Sequence, residues 1–160
     1  MRTSATIPVK SLVLTIMLAA LMGFAIGPAQ AQTPSKNAKL VAASIVFHTT
    51  DHSKPADTAV SVTLSRAGVQ IAQVRDLTGR FDSNSTDGPF ALDVTTPITT
   101  DQLPGLIATV SFVPKKTETW KFNYTMRLTF SDGTKLVREI NDVVLTQDTR
   151  SRVQTLTPTA

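Results

Sequence analysis

Both histidines of the chain lie in one short polar segment, next to two aspartates. The four residues are His48, Asp51, His52 and Asp57. Imidazole nitrogens and carboxylate oxygens form the donor set that zinc and copper take in proteins. His48 ends a predicted strand and His52 follows a bend, so the segment could bring the two rings together around a metal. The other interpretation is an ordinary polar turn with a surface histidine at its start.

A second group of oxygen donors follows in the run 81–88, where Asp82, Asn84 and Asp87 offer the hard ligands that calcium prefers. The spacing departs from the helix–loop–helix calcium motif, because the glycine falls one place late and no downstream glutamate follows. Asp, Asn, Ser and Gly also build ordinary turns. If the segments 49–58 and 82–88 lie at one end of the fold, they form one candidate calcium site. Its candidate ligands are Asp51, His52, Asp57, Asp82, Asn84 and Asp87.

No catalytic motif is visible beside these segments. The chain has no cysteine, which excludes thiolate catalysis and thiolate zinc sites, and it has no G-x-S-x-G, H-E-x-x-H or phosphate-cradling glycine loop. We therefore expect a non-catalytic protein. The alternative is a small secreted metal-dependent hydrolase, with His48 or His52 and aspartates around a metal. A third possibility is a subunit that pairs through an exposed sheet edge.

The elements that must position these residues show an alternation of apolar and polar residues, with a period of two. From 119 to 130 the even positions are Trp, Phe, Tyr, Met, Leu and Phe, and the odd positions are polar or charged. Side chains alternate across a strand, so one face of this strand is apolar and the other is exposed to solvent. Asp132-Gly133 then predicts a tight hairpin turn into a partner strand at 134–140. Exposed, the row Trp120, Phe122, Tyr124 would be a carbohydrate or lipid platform, but its continuity with Met126 and Leu128 favours the core.

The same pattern predicts about eight strands and no amphipathic helix of useful length. They span residues 40–48, 60–65, 69–75, 89–94, 106–113, 119–130, 134–140 and 143–147. Because no helix covers the apolar face of a sheet, a second sheet must cover it. We expect an all-β antiparallel sandwich of about eight strands, with a closed barrel as the alternative.

The first 31 residues read as a cleaved secretory signal peptide. Arg2 and Lys10 give a positive start before an apolar run at 11–26. Ala29-Gln30-Ala31 then provides the small residues of a cleavage site. We expect an exported, bacterial protein of the periplasm or medium, with no transmembrane span. The segment 32–39 is predicted to be a flexible leader, 40–148 the β-domain and 149–160 a disordered tail.

Charge does not indicate nucleic acid as a partner. Without residues 1–31 the chain has 14 basic and 12 acidic residues, a net charge of +2. Lys115-Lys116 is the densest basic spot and is interpreted as a solvated loop, whereas a nucleic-acid binder shows a clustered basic face.

Two segments of the chain resemble a known family. The polar run TTDHSKPADT before the alternating strand AVSVTLS, and TETW before the long strand at 119–130, look like the C2-like sandwiches of the lipoxygenase-homology (PLAT) type. The resemblance implies a calcium-binding aspartate loop after the first strand, at Asp51 and Asp57, and docking onto lipids or partner proteins. The expected function is an exported binding or accessory domain for a protein, glycan or lipid ligand. Loops 49–58 and 82–88 are the expected contact region.

Overall fold

The computed structural model describes residues 35–156, so the predicted signal peptide at 1–31 lies outside the described residues. Eight strands and one 3-10 turn, Thr100–Gln102, make up its regular structure. The strands are β1 Leu40–Thr49, β2 Ala59–Arg66, β3 Val69–Leu77, β4 Thr86–Val94, β5 Leu106–Val113, β6 Thr119–Phe130, β7 Lys135–Thr146 and β8 Ser151–Thr155. Within this part of the chain, no helix has the length and hydropathy of a membrane span.

The eight strands form one continuous antiparallel sheet in the order β7-β6-β1-β4-β3-β2-β5-β8. The all-β class and the antiparallel pairing are confirmed. The prediction of a sandwich of separate sheets is corrected, because β3 and β4 join the two four-stranded halves through the pairs Ala72–Val94 and Gln73–Asp93. The sheet is nearly closed, and β7 and β8 are its two free edges among the described residues.

The core lies on one face of this sheet, as the alternation predicts. Along β6 the side chains at even positions are buried and those at odd positions are not. The predicted hairpin is also confirmed: Gly133 has φ +82°, its N–H donates to Phe130 O at 2.9 Å, and Phe130 N–H donates to Thr134 O at 2.9 Å. This is a three-residue loop with glycine in the left-handed position, a common connection between antiparallel strands.

The end of the chain differs from the prediction. The segments 134–140 and 143–147 form one strand, β7, which passes through an irregularity opposite Asn123. There Asp142 has φ +57° and donates its N–H to Asn123 Oδ1 at 2.9 Å. Residues 151–155, predicted as tail, form β8 on the edge of β5.

Part of the predicted leader is attached to the sheet as well. Ala38 is buried, and Lys39 forms an isolated bridge with Thr99. Ser35 donates from its N–H and from its hydroxyl to the carboxylate of Asp132, each at 2.8 Å. Residues 35–39 therefore pack at the end of the sheet that carries the 131–133 turn.

The aromatic row of β6 belongs to the core. Trp120 is fully buried, stacks on Phe122 with ring centroids 3.8 Å apart, and donates from Nε1 to Thr49 Oγ1 at 3.1 Å. Trp120→Ala should therefore cost about 3–5 kcal/mol in the free energy of unfolding, measured with urea. Val153→Ala at an exposed position of β8 is the control, with an expected change within about 0.5 kcal/mol. Near-normal stability of Trp120→Ala would contradict a buried ring.

Tyr124 carries a polar atom into this core. Its Oη is buried and makes no hydrogen bond within residues 35–156, and burial raises the pKa of Tyr124 to about 12. Tyr124→Phe removes an unsatisfied hydroxyl and should stabilise the protein by about 1 kcal/mol at pH 7.

The same substitution should matter more in alkali. An unfolded tyrosine ionises near pH 10, so the wild-type protein loses stability as the pH rises from about 10 to 12. The advantage of Tyr124→Phe should grow by about a further 1.4 kcal/mol at pH 11, measured by urea unfolding at both pH values. A destabilised variant at pH 7 would mean that the hydroxyl has a partner.

Candidate functional site

Four loops meet at one end of the sheet. All odd-numbered strands run in one direction and all even-numbered strands in the other, because every pairing is antiparallel. The connections that follow β1, β3, β5 and β7 therefore lie at the same end, which we call the loop end. They are residues 50–58, 78–85, 114–118 and 147–150. The two segments predicted to carry a site are thus neighbours.

Loops 50–58 and 78–85 are joined by backbone hydrogen bonds. Lys54 and Phe81 exchange both of their N–H···O bonds, at 2.9 and 3.0 Å, and form an isolated β-bridge. Asn84 N–H donates to Thr50 O at 2.9 Å, and Ser83 Oγ donates to the carbonyl of Asp51 at 3.2 Å. The two loops are therefore one structural unit with a defined conformation.

A buried lysine lies at the centre of this unit. Lys54 is 0% exposed, and its Nζ donates to the carbonyl oxygens of Pro55 at 3.0 Å, Thr58 at 2.8 Å and Gly79. It also lies 4.5 Å from the centre of the Phe81 ring, a distance at which a cation is attracted to the ring face. The three N–H donors of the ammonium group each have an acceptor.

The charge of Lys54 is set by two opposing influences. Burial lowers its pKa, because a charged group loses hydration, and the carboxylates of Glu118, Asp87 and Asp57 oppose that shift. Glu118 also accepts a hydrogen bond from the Thr58 hydroxyl. The Nζ of Lys54 ties loop 50–58 to loop 78–85 through its hydrogen bonds to Thr58 O and Gly79 O. No sequence signal marks it, since a lysine in a polar loop is normally exposed.

Asp51 is exposed and has an imidazole and an ammonium group as neighbours. Its Oδ2 lies 3.1 Å from His52 Nδ1 and 3.2 Å from Lys121 Nζ. The hydrogen bond from His52, with a smaller contribution from Lys121, lowers the pKa of Asp51 to about 2. The Asp51 carboxylate is thus ionised over the physiological range, on the outer surface of the loop end.

The other predicted ligands lie in the same loops, and two of them have side-chain partners. Asp82 pairs with Arg80, and Asp87 accepts from the Ser85 hydroxyl at 2.6 Å. Asn84 is exposed with φ +62°, and Asp57 is exposed in loop 50–58.

His48 is separate from these loops. It lies on the outward face of β1, where its Nδ1 is 2.8 Å from Thr86 Oγ1. Within residues 35–156, no three side chains of His, Asp or Glu are grouped as metal ligands. The metal site at Asp51, His52, Asp57, Asp82, Asn84 and Asp87 stays a prediction.

A cleft of about 340 Å³ opens beside Asp51 on the outer face of β6 and β7. It is lined by Thr50, Asp51, Lys121, Phe122, Asn123, Asp142, Val143 and Val144. The lining combines carboxylates, an ammonium group, an amide and an apolar wall. The sequence does not reveal this cleft, because Asp142 and Asn123 meet through the irregularity in β7.

Comparison of the chain with models of known protein families, with curated proteins and with solved structures found no significant match.

The role of Lys54 can be tested by Lys54→Met, which keeps most of the buried stem but leaves three carbonyls without the ammonium donor. Pro55 O still accepts the Thr58 N–H at 3.3 Å, so the main loss is at Thr58 O and Gly79 O. We expect a loss of about 1–3 kcal/mol in the free energy of unfolding. Amide exchange at Phe81 should also speed up, because that N–H bonds to Lys54 O across the two loops. The control is Lys121→Met, whose exposed ion pair should contribute less than about 1 kcal/mol. Unchanged exchange at Phe81 would contradict the tie between the loops.

Proposed function

We propose that this protein is an exported, non-catalytic binding domain that contacts its ligand through loops 50–58 and 78–85 at the loop end. The observation that carries the proposal is the internal anchoring of these loops by the buried Lys54. Ordering a loop costs conformational entropy at the moment of binding, and a loop that is already ordered avoids that cost. A polar loop anchored from inside is therefore suited to recognition.

The exposed groups of these loops supply the contacts. Asp51 and His52 lie on loop 50–58, and Arg80 and Asp82 on loop 78–85, with carboxylate, imidazole and guanidinium groups directed to solvent. Export, which the signal peptide predicts, and the resemblance to PLAT domains support the same role. In that resemblance, Asp51 and Asp57 are the positions at which calcium would join the ligand contact.

The cleft beside Asp51 extends this surface and favours a polar ligand. Asp51 and Asp142 accept hydrogen bonds, Lys121 donates them, and Asn123 does both. Val144, which is exposed on the outer face, provides an apolar contact for the less polar side of a ligand. A sugar ring or an extended peptide has this mixture of hydroxyl or amide groups and apolar faces. A protein or glycan ligand therefore fits the cleft better than an acyl chain.

The proposal is tested by nuclear magnetic resonance titration of the purified protein, stripped with EDTA, against calcium chloride, zinc chloride and a panel of neutral oligosaccharides and short peptides. We expect at least one probe to shift the amide signals of loops 50–58 and 78–85. Asp51→Asn should lower the affinity for that probe about tenfold or more, because it removes a charged acceptor. Asp101→Asn, a matched change at the opposite end of the sheet, should not.

Two outcomes would contradict this function. Shifts confined to residues outside the loop end and its cleft would place the binding surface elsewhere. Hydrolysis of an oligosaccharide or peptide probe that is lost in Asp51→Asn or His52→Gln would instead indicate the metal-dependent hydrolase.

A melting temperature that rises with calcium alone would add a metal to the binding surface, because only binding to the folded state raises the melting temperature.

A further inference from the structure

A second pocket at the loop end has a different composition from the cleft beside Asp51. It has a volume of about 330 Å³, near the lower end of the range for small-molecule sites of about 300–1,000 Å³. Its walls come from loops 114–118 and 147–150, which are far apart in sequence. The lining residues are Pro114, Lys115, Lys116, Thr117, Gln147 and Arg150.

Three of the lining side chains are cations, and none of the lining side chains is an acid. Lys115, Lys116 and Arg150 are all exposed, and none of them forms an ion pair within residues 35–156. Three like charges around one concave surface raise the local positive potential, because the walls of a pocket focus the field. The pocket therefore attracts an anion. In the sequence Lys115-Lys116 is an isolated pair of lysines, and the fold adds Arg150 to it.

The guanidinium group of Arg150 is held in position. Its Nε donates to Gln147 O at 2.8 Å, and its own carbonyl accepts from Phe112 N–H at 2.9 Å on β5. This arrangement leaves the two terminal nitrogens of Arg150 for a ligand. Paired N–H donors of this geometry bind two oxygens of one phosphate or carboxylate group.

The nearest carboxylates are directed elsewhere. Glu118, two residues after Lys116, accepts from the Thr58 hydroxyl and lies close enough to Lys54 to influence its pKa. Glu118 and Asp148 do not line this pocket but an adjoining hollow, which shares Thr117 and Gln147 with it. The acid that follows the lysines in sequence is therefore bound by Thr58, and within residues 35–156 it forms no ion pair with the three cations.

We propose that the pocket of Lys115, Lys116 and Arg150 binds a phosphate group. A doubly charged phosphate matches three cations better than a carboxylate, and its oxygens suit both the bidentate guanidinium and the point charges of two lysines. The pocket is larger than the phosphate group alone requires, so it has room for part of the molecule that carries it. That molecule is either a soluble phosphate ester or a lipid with a phosphate headgroup. The proposal does not depend on loops 50–58 and 78–85, which contribute no residue to this pocket.

The experiment uses the purified protein with three probes at constant ionic strength. Inorganic phosphate and glycerol 3-phosphate are titrated by calorimetry and nuclear magnetic resonance, with glycerol as the uncharged comparison. Vesicles of phosphatidic acid in phosphatidylcholine are compared with pure phosphatidylcholine by co-sedimentation. The double variant Lys116→Gln/Arg150→Gln should bind the phosphate probes more than tenfold more weakly, because it removes two charge-assisted contacts. Added sodium chloride should weaken binding by the wild-type protein as well.

The matched control is Arg127→Gln/Lys135→Gln, which removes the same two charges from exposed positions near the opposite end of β6 and β7. It should bind as the wild-type protein does. Binding of the two soluble phosphates through the pocket supports a soluble ester as the ligand. Binding to phosphatidic acid vesicles alone, lost in the pocket variant, supports a lipid headgroup. No binding of any probe, or an equal loss in both double variants, would overturn the proposal.

Discussion

The aromatic cluster around Phe47 connects the core of this protein to its loop end. The Phe47 ring lies with its centroid 5.2–6.5 Å from five other rings, which belong to β4, β6 and loop 78–85. Aromatic pairs at these separations add to the energy of simple burial. One member, Phe81, is a loop residue, and Lys54 lies over its ring. The packing that stabilises the sheet therefore also fixes the position of loops 50–58 and 78–85.

A single sheet can supply such a core only if its apolar face folds onto itself, since no helix of residues 35–156 covers it. One irregularity lies within the pairing of β4 with β1, before β4 reaches β3 at Asp93 and Val94. Gly88 and Pro89 together lie opposite Val46, and Gly88 has φ +116°. A Cβ on Gly88 would come within 2.9 Å of Ile45 O, so only glycine fits. Such bulges increase the local twist and bend of a strand.

The regular part of the fold was predictable because burial on one face makes apolar and polar residues alternate along β6 and the other inner strands. The features that the sequence did not reveal depend on contacts between distant residues. Lys54 looks like a solvated lysine until Gly79 and Thr58 are placed around its ammonium group. β8 has no apolar alternation of its own, and it is a strand because it pairs with β5. At the loop end, the segments at 49–58 and 82–88 were recognised individually, and the fold was needed to place them side by side.

The free edges explain why the phosphate pocket lies where it does. Arg138 on β7 pairs with the buried Met126, and Arg152 on β8 pairs with the buried Val110, so both arginines occupy core-facing positions of an edge strand. Charged side chains at such positions discourage further strand pairing. The chain must then cross between the two edges in the short loop 147–150, and Arg150 at its end is brought to the end of β5. The pairing of β8 with β5 therefore places Arg150 beside the lysines that follow β5.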